Sequence, residues 1–118
     1  MNADTEAPPR ITSLDEYQQL SMSTAAITPF PGPALITTAL GLTGEAGEFA
    51  DIVKKWYAQE HELDRETLIN ELGDILWYVA RGASALDINL SDIANANRAK
   101  LVARYPEGFS SEKSINRE

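Results

Sequence analysis

Two pairs of carboxylates constrain this chain more than any other feature of its sequence. Glu45 and Glu48 lie in GEAGE at 44–48, and Glu71 and Asp74 in ELGD at 71–74. Each pair is spaced i, i+3. A helix turns about 100° per residue, so side chains at that spacing share a face and project together. The neighbours on those faces are apolar: Leu42, Phe49, Ile52 and Trp56 accompany the first pair, and Leu68, Ile75, Tyr78 and Val79 the second. A single such pair usually marks a solvated helix face. Two pairs on consecutive helices, both centred on the apolar stripe, place four acids where a core should form. Desolvating carboxylates is costly unless cations neutralise them. The pattern predicts two helices packed face to face around bound divalent metal.

No segment shows the two-residue alternation of a strand, so the expected fold is all-α. Ser13-Leu-Asp-Glu16 is a capping-box pattern that opens a first helix running to about Ala26. Pro29, Pro31, Gly32 and Pro33 then predict an irregular connection. Helical spacing continues from about Ala34 to Gln59 through Gly41, Gly44 and Gly47. Each glycine costs roughly 1 kcal/mol against alanine in a helix, which suggests close approach by another helix or a ligand. Glu60–Arg65 reads as a turn, Asp64 as an N-cap, and Arg65 to about Leu86 as the next helix. Asp87–Leu90 breaks it. Ser91 is expected to cap a last helix to about Tyr105, stopped by Pro106 and Gly108. The expectation is one four-helix domain over 13–109, with flexible tails at 1–12 and 110–118 and an antiparallel hairpin joining the acidic motifs.

The 118 residues carry a net charge of −8, from 10 basic and 18 acidic side chains. That excess argues against nucleic acid or an anionic membrane as partner. There is no cysteine, hence neither a disulfide framework nor a thiolate zinc site. MNADTEAPPR at the start has no signal-peptide pattern, and no run reaches the roughly 20 apolar residues of a membrane span. A soluble, cytoplasmic protein is expected.

Four oxygen-only ligands suit hard cations, Mg²⁺ or Mn²⁺, rather than zinc or copper. A di-iron centre would need Glu-x-x-His pairs, and the one histidine, His61, falls in the expected turn as an exposed loop residue. Magnesium commonly shares its shell with phosphate oxygens, which points to phosphorylated substrates.

GLTGEAGEFADIVKKW at 41–56, ELGDILWYVA at 71–80 and ANRAKLVARYPEGF at 96–109 together resemble the MazG-like nucleotide pyrophosphohydrolases of the all-α NTP pyrophosphatase superfamily. The E-x-x-E and E-x-x-D pairs are separated by 22 residues, a spacing similar to that family's, and the resemblance covers about 14–109. It implies a four-helix MazG-like bundle completed by oligomerisation, and hydrolysis of a (d)NTP to (d)NMP and pyrophosphate in nucleotide-pool control. It implies that Glu45, Glu48, Glu71 and Asp74 bind Mg²⁺, with Mn²⁺ able to substitute, and that Glu45 or Glu48 acts as general base. Substrate contacts are expected from Lys54 or Lys55, and from Asn97, Lys100, Arg104 and Tyr105 on the last helix.

Trp56 and Trp77 read mainly as core, while Tyr17, Gln18 and the loop around Phe30 are candidate base-recognition elements. The apolar residues Leu35, Ile36, Ala39, Leu40, Ala46, Ala50 and Val53, with Ile69, Leu72, Leu76 and Trp77, exceed what one hairpin can cover, so a dimer or dimer of dimers is expected. Competing readings are a phosphoribosyl-ATP or dUTP/dCTP-directed enzyme of the same superfamily, and a non-catalytic helical interaction module.

Overall fold

The computed structural model describes residues 6–25 and 31–117, and every regular element among them is helical. Helix α1 spans Leu14–Ser21 and runs into a 3-10 turn, Met22–Thr24; α2 spans Pro31–Ala58, α3 Arg65–Ala85, α4 Leu90–Arg104 and α5 Ser111–Ile115.

Local chemistry explains these limits. Ser13 caps α1 by accepting from the Glu16 N–H at 3.0 Å. Glu16 does not close the expected box on Ser13; its carboxylate takes the Thr12 N–H at 3.1 Å and the Thr12 hydroxyl at 2.6 Å. Helix α1 ends earlier than expected. The Ser23 and Thr24 hydroxyls donate to the carbonyls of Leu20 and Ser21, at 2.6 and 2.7 Å, competing with continued helix. Ala26, Pro29 and Phe30 lie outside the described residues. Helix α2 begins at Pro31 rather than Ala34, because proline is tolerated in a first turn whose N–H groups have no intrahelical acceptor.

Asp64 caps α3 as expected, accepting from the Thr67 N–H at 3.1 Å and its hydroxyl at 2.7 Å. Asn89, not Ser91, caps α4, and its N–H donates to Asp92 at 3.0 Å. Ser91 is instead inside the helix, with both its N–H and hydroxyl bound to Asp15. Helix α5 forms within the segment expected as a tail, with Ser110 accepting from the Lys113 N–H.

The antiparallel α2–α3 hairpin dominates the packing. Two close approaches define its register: Gly82 meets the Thr38 side chain, and Gly41 meets the Tyr78 ring. Continuing that register by one and two turns brings Glu45 level with Asp74 and Glu48 level with Glu71. Helix α1 lies across the α3–α4 junction. There Gln18 donates to the Ser84 hydroxyl and the Ile88 carbonyl, each at 3.0 Å, and accepts from the Leu90 N–H at 2.7 Å. Trp77 is half-buried, not fully core, and its indole N–H is directed at the Ser21 carbonyl and Thr24 hydroxyl.

Among the described residues, the buried apolar side chains are Ala34, Ala80, Ala83 and Leu90, and no large one is fully removed from water. The radius of gyration is 17.9 Å, against roughly 13–14 Å for a compact domain of this length. Accessible surface is 9360 Å², where a compact monomer of this mass exposes about 6300 Å². Ile36, Leu40, Ile69 and Leu72 are each more than half exposed. Among the described residues, no helix is long and apolar enough to cross a membrane.

Candidate metal centre

The register of the hairpin converts two sequence-local pairs into one cluster. Glu45, Glu71 and Asp74 each offer a carboxylate oxygen, and these oxygens lie within 4.8 Å of one another. Glu45 and Glu71 are half-buried and Asp74 is exposed. Glu48 is also exposed; its carboxyl reaches Glu71 rather than forming part of that three-oxygen group.

Like charges held this close penalise full ionisation. Glu71 is pushed up to about 7, first by its hydrogen-bonding contact with Glu45, then by desolvation and by the charge of Glu48. One oxygen of Glu45 and one of Glu71 are cut off from solvent without a hydrogen-bond donor. A buried carboxylate oxygen needs a proton or a cation, and no basic side chain forms an ion pair with the cluster among the described residues. Oxygen-only donors with no donor of their own fit a hard divalent ion of the Mg²⁺ or Mn²⁺ type.

The candidate substrate residues are placed elsewhere in this chain. Lys54 and Lys55 are held by Asp51, at 3.3 and 2.7 Å, in exposed pairs on their own helix. The sequence reading did not single out Asp51, although its i, i+3 and i, i+4 spacing to the lysines was visible. Asn97 is exposed on α4. Lys100 and Arg104 line a cavity between α4 and α5, and Tyr105 packs on Phe109 with ring centroids 5.4 Å apart.

Gln18 is corrected as a base-recognition candidate, since both ends of its buried amide are engaged by Ser84, Ile88 and Leu90. Trp56 is 46% exposed, so it is not core in this chain. His61 is exposed in the α2–α3 turn, as expected. Arg81, not noticed in the sequence, is buried and lies over the Trp77 ring at 5.9 Å from its centroid.

Comparison with known proteins bears on this site directly. The MazG nucleotide pyrophosphohydrolase domain matches residues 34–109, a span containing all four acids and the whole of α4. The Gene 37 protein of Mycobacterium phage L5 is 37% identical over 111 residues, covering 86% of this chain and 97% of the phage protein. No solved structure matches. The acid pairs, the helical hairpin that joins them and the matched span agree: the chain belongs to the MazG nucleotide pyrophosphohydrolase family.

Proposed function

We propose that this protein is a Mg²⁺-dependent nucleoside triphosphate pyrophosphohydrolase that converts a (d)NTP to the monophosphate and pyrophosphate, serving nucleotide-pool control. The observation that carries the reading is the convergence of Glu45, Glu71 and Asp74, with two buried carboxylate oxygens lacking any donor. Glu45, Glu48, Glu71 and Asp74 would hold the metal. When bound, Mg²⁺ supplies positive charge to phosphate oxygens and makes a water more acidic. Glu45 or Glu48 then accepts the proton of the attacking water. Glu48 is more exposed than Glu45, which favours its access to solvent; Glu45 is more deeply set among the acids. Lys54, Asn97, Lys100, Arg104 and Tyr105 are the substrate-holding set, with Lys54 required to leave Asp51 to take part. Positioning and charge neutralisation carry most of phosphoryl chemistry, so little covalent work falls to the chain.

The assembly we infer is a homo-oligomer. The excess accessible surface and the exposed Ile36, Leu40, Ile69 and Leu72 support it. Gly44 and Gly47 meet nothing within 4 Å in a single chain and continue the Ile36–Leu40 stripe, leaving room for a helix of a second copy. Pairing hairpins in this way would complete the bundle.

The direct test is pyrophosphate release from a panel of ribo- and deoxyribonucleoside triphosphates with Mg²⁺ or Mn²⁺, with products followed by phosphorus NMR. Monophosphate plus pyrophosphate is expected. A diphosphate and free phosphate as first products, or no turnover of any nucleotide, would overturn the reading.

A further inference from the structure

Helix α4 packs against α1 and α3, yet every residue from 94 to 103 is exposed. Its anchorage lies in the first turn. Leu90 is buried, and the two leading N–H groups of the helix are met from α1: Gln18 accepts from Leu90 at 2.7 Å and Asp15 from Ser91 at 2.9 Å. The Ser91 hydroxyl donates to the second Asp15 oxygen at 2.7 Å. The N–H groups of a first turn have no acceptor within their own helix, and a carboxylate beside them also suits the helix dipole. The hydroxyl bond, followed by the N–H bond, holds the Asp15 carboxyl below its ordinary value of 3.8. The group is therefore ionised near neutrality, and both bonds are charge-assisted. Asp15 is itself fixed in place, because α1 is tied to α3. Gln18 donates to Ser84, and Trp77, three residues from Asp74, donates to the Ser21 carbonyl at 3.2 Å and the Thr24 hydroxyl at 3.0 Å. Helix α1 thus forms a bracket between the helix that bears Glu71 and Asp74 and the helix that bears Asn97, Lys100 and Arg104.

We propose that Asp15 is a positioning residue: by clasping Ser91 it fixes the direction in which α4 leaves the hairpin, and with it where Asn97, Lys100 and Arg104 are presented. The lever is long. Lys100 and Arg104 lie 9 and 13 residues beyond Ser91, about 14 and 20 Å at the rise of a helix. A tilt of about 10° at the first turn would carry Arg104 through about 3 Å, the length of a hydrogen bond. A misplacement of about 1 Å already costs on the order of 100-fold where a reaction depends on positioning. Within the chain, no burial between 94 and 103 is there to correct such a tilt. Gln18 joins three elements, so its loss is felt by the whole junction. The Asp15 side chain, by contrast, bonds to Ser91 alone among the described residues, which makes it a specific adjuster of α4. The inference rests on the proposed function for the part α4 plays in holding substrate; the clasp itself does not.

The chain has no cysteine, so spin labels at Glu66→Cys on α3 and Ala103→Cys on α4, both exposed positions, report the direction of α4 by pulsed EPR. Labelled full-length protein is diluted into an excess of unlabelled protein, so that distances within one chain are read. Asp15→Ala should shift or broaden the distance distribution by at least about 3 Å, the displacement expected of the lever. Asp15→Asn keeps an acceptor for the Ser91 N–H and should restore the parent distribution. In steady-state assays Asp15→Ala should raise KM for a nucleoside triphosphate at least about tenfold with a smaller change in kcat, as loss of substrate binding does, and Asp15→Asn should recover most of it. Mn²⁺ affinity should match the parent, since the acids are not on α4. If Asp15→Ala fails to fold, Ser91→Ala, which keeps the N–H bond, carries both measurements. Unchanged distances refute the clasp, whether or not the parent hydrolyses any nucleotide. Altered distances with an unchanged KM, or a parallel loss of Mn²⁺ affinity, refute a positioning role for Asp15. A parent that binds and hydrolyses no nucleotide overturns the proposed function and, with it, the role in holding substrate, while the EPR distances still decide the clasp.

Discussion

Gly41 of α2 faces the ring of Tyr78 on α3 so closely that a Cβ at position 41 would fall among the ring atoms. This contact lies one turn from Glu45 and one turn from Asp74, and it sets the distance between the helices that carry the acids. Gly41→Ala should therefore destabilise the protein even though alanine favours a helix by about 1 kcal/mol. Overpacking typically costs about 1–3 kcal/mol. Gly41→Ala/Tyr78→Ala should recover part of the clash penalty in a double-mutant cycle by chemical denaturation. Simple additivity of the two changes would show that the contact does not set the spacing.

Gln18→Leu removes the side chain that binds Ser84, Ile88 and Leu90 across the α1, α3 and α4 junction. The Leu90 N–H would lose its acceptor in a buried position. Leaving such groups unmet costs about 1–3 kcal/mol each, so a loss of at least about 2 kcal/mol is expected in urea unfolding. A change below about 0.5 kcal/mol, the range of an ordinary surface substitution, would remove Gln18 from its bridging role.

Glu48→Gln and Glu71→Gln keep side-chain shape but delete charge from the proposed metal site. Each should lower kcat by at least about 100-fold, equivalent to roughly 2.7 kcal/mol. EDTA should abolish wild-type activity, and added Mg²⁺ or Mn²⁺ should restore it. Full activity in either variant would sink the site assignment.

The metal-free protein should lose stability as pH rises from about 4.5 to about 7. Glu71 stands at about 7 in the folded chain against an ordinary value of 4.5, chiefly through its contact with Glu45. Folding therefore favours its protonated form. That contribution is complete below the unfolded value and disappears as pH climbs through the folded one. Thermal melts in EDTA across this range should show Tm falling, and Glu71→Gln should flatten the slope. Divalent metal should raise Tm most at the alkaline end, where the acids are ionised. A wild-type Tm that rises through the interval would contradict the clustering of Glu71 with Glu45 and Glu48.

Light scattering coupled to size exclusion at micromolar concentration should give a mass of at least two chains. Leu40→Glu/Leu72→Glu should shift it towards 12.9 kDa, because two charges would then lie on the apolar face. A wild-type protein that runs as a monomer throughout would leave that exposed face without the partner inferred here.

The helical class, the extents of α2 and α3 to within a few residues, and the pairing of acids within each helix were legible from spacing alone. These depend on neighbours three and four residues apart, and that geometry is built into any α-helix. Asp64 could be read as a cap for the same reason. What joined Glu45 to Glu71 and Asp74 was the register between helices, set by Gly41 against Tyr78 and Thr38 against Gly82, and no local pattern specifies a register. Gln18 looked like a polar residue free to meet a ligand until packing brought it to Leu90, 72 residues away. Ser91 looked like a cap until Asp15 reached it from α1. Lys113 and Arg117 likewise come to line one cavity with Lys100 and Arg104 only through the path the chain takes beyond α4. Periodicity determines which face a side chain occupies. Which polar groups meet across that face is decided only by tertiary packing, because each buried donor and acceptor must find its partner wherever the folded chain provides one.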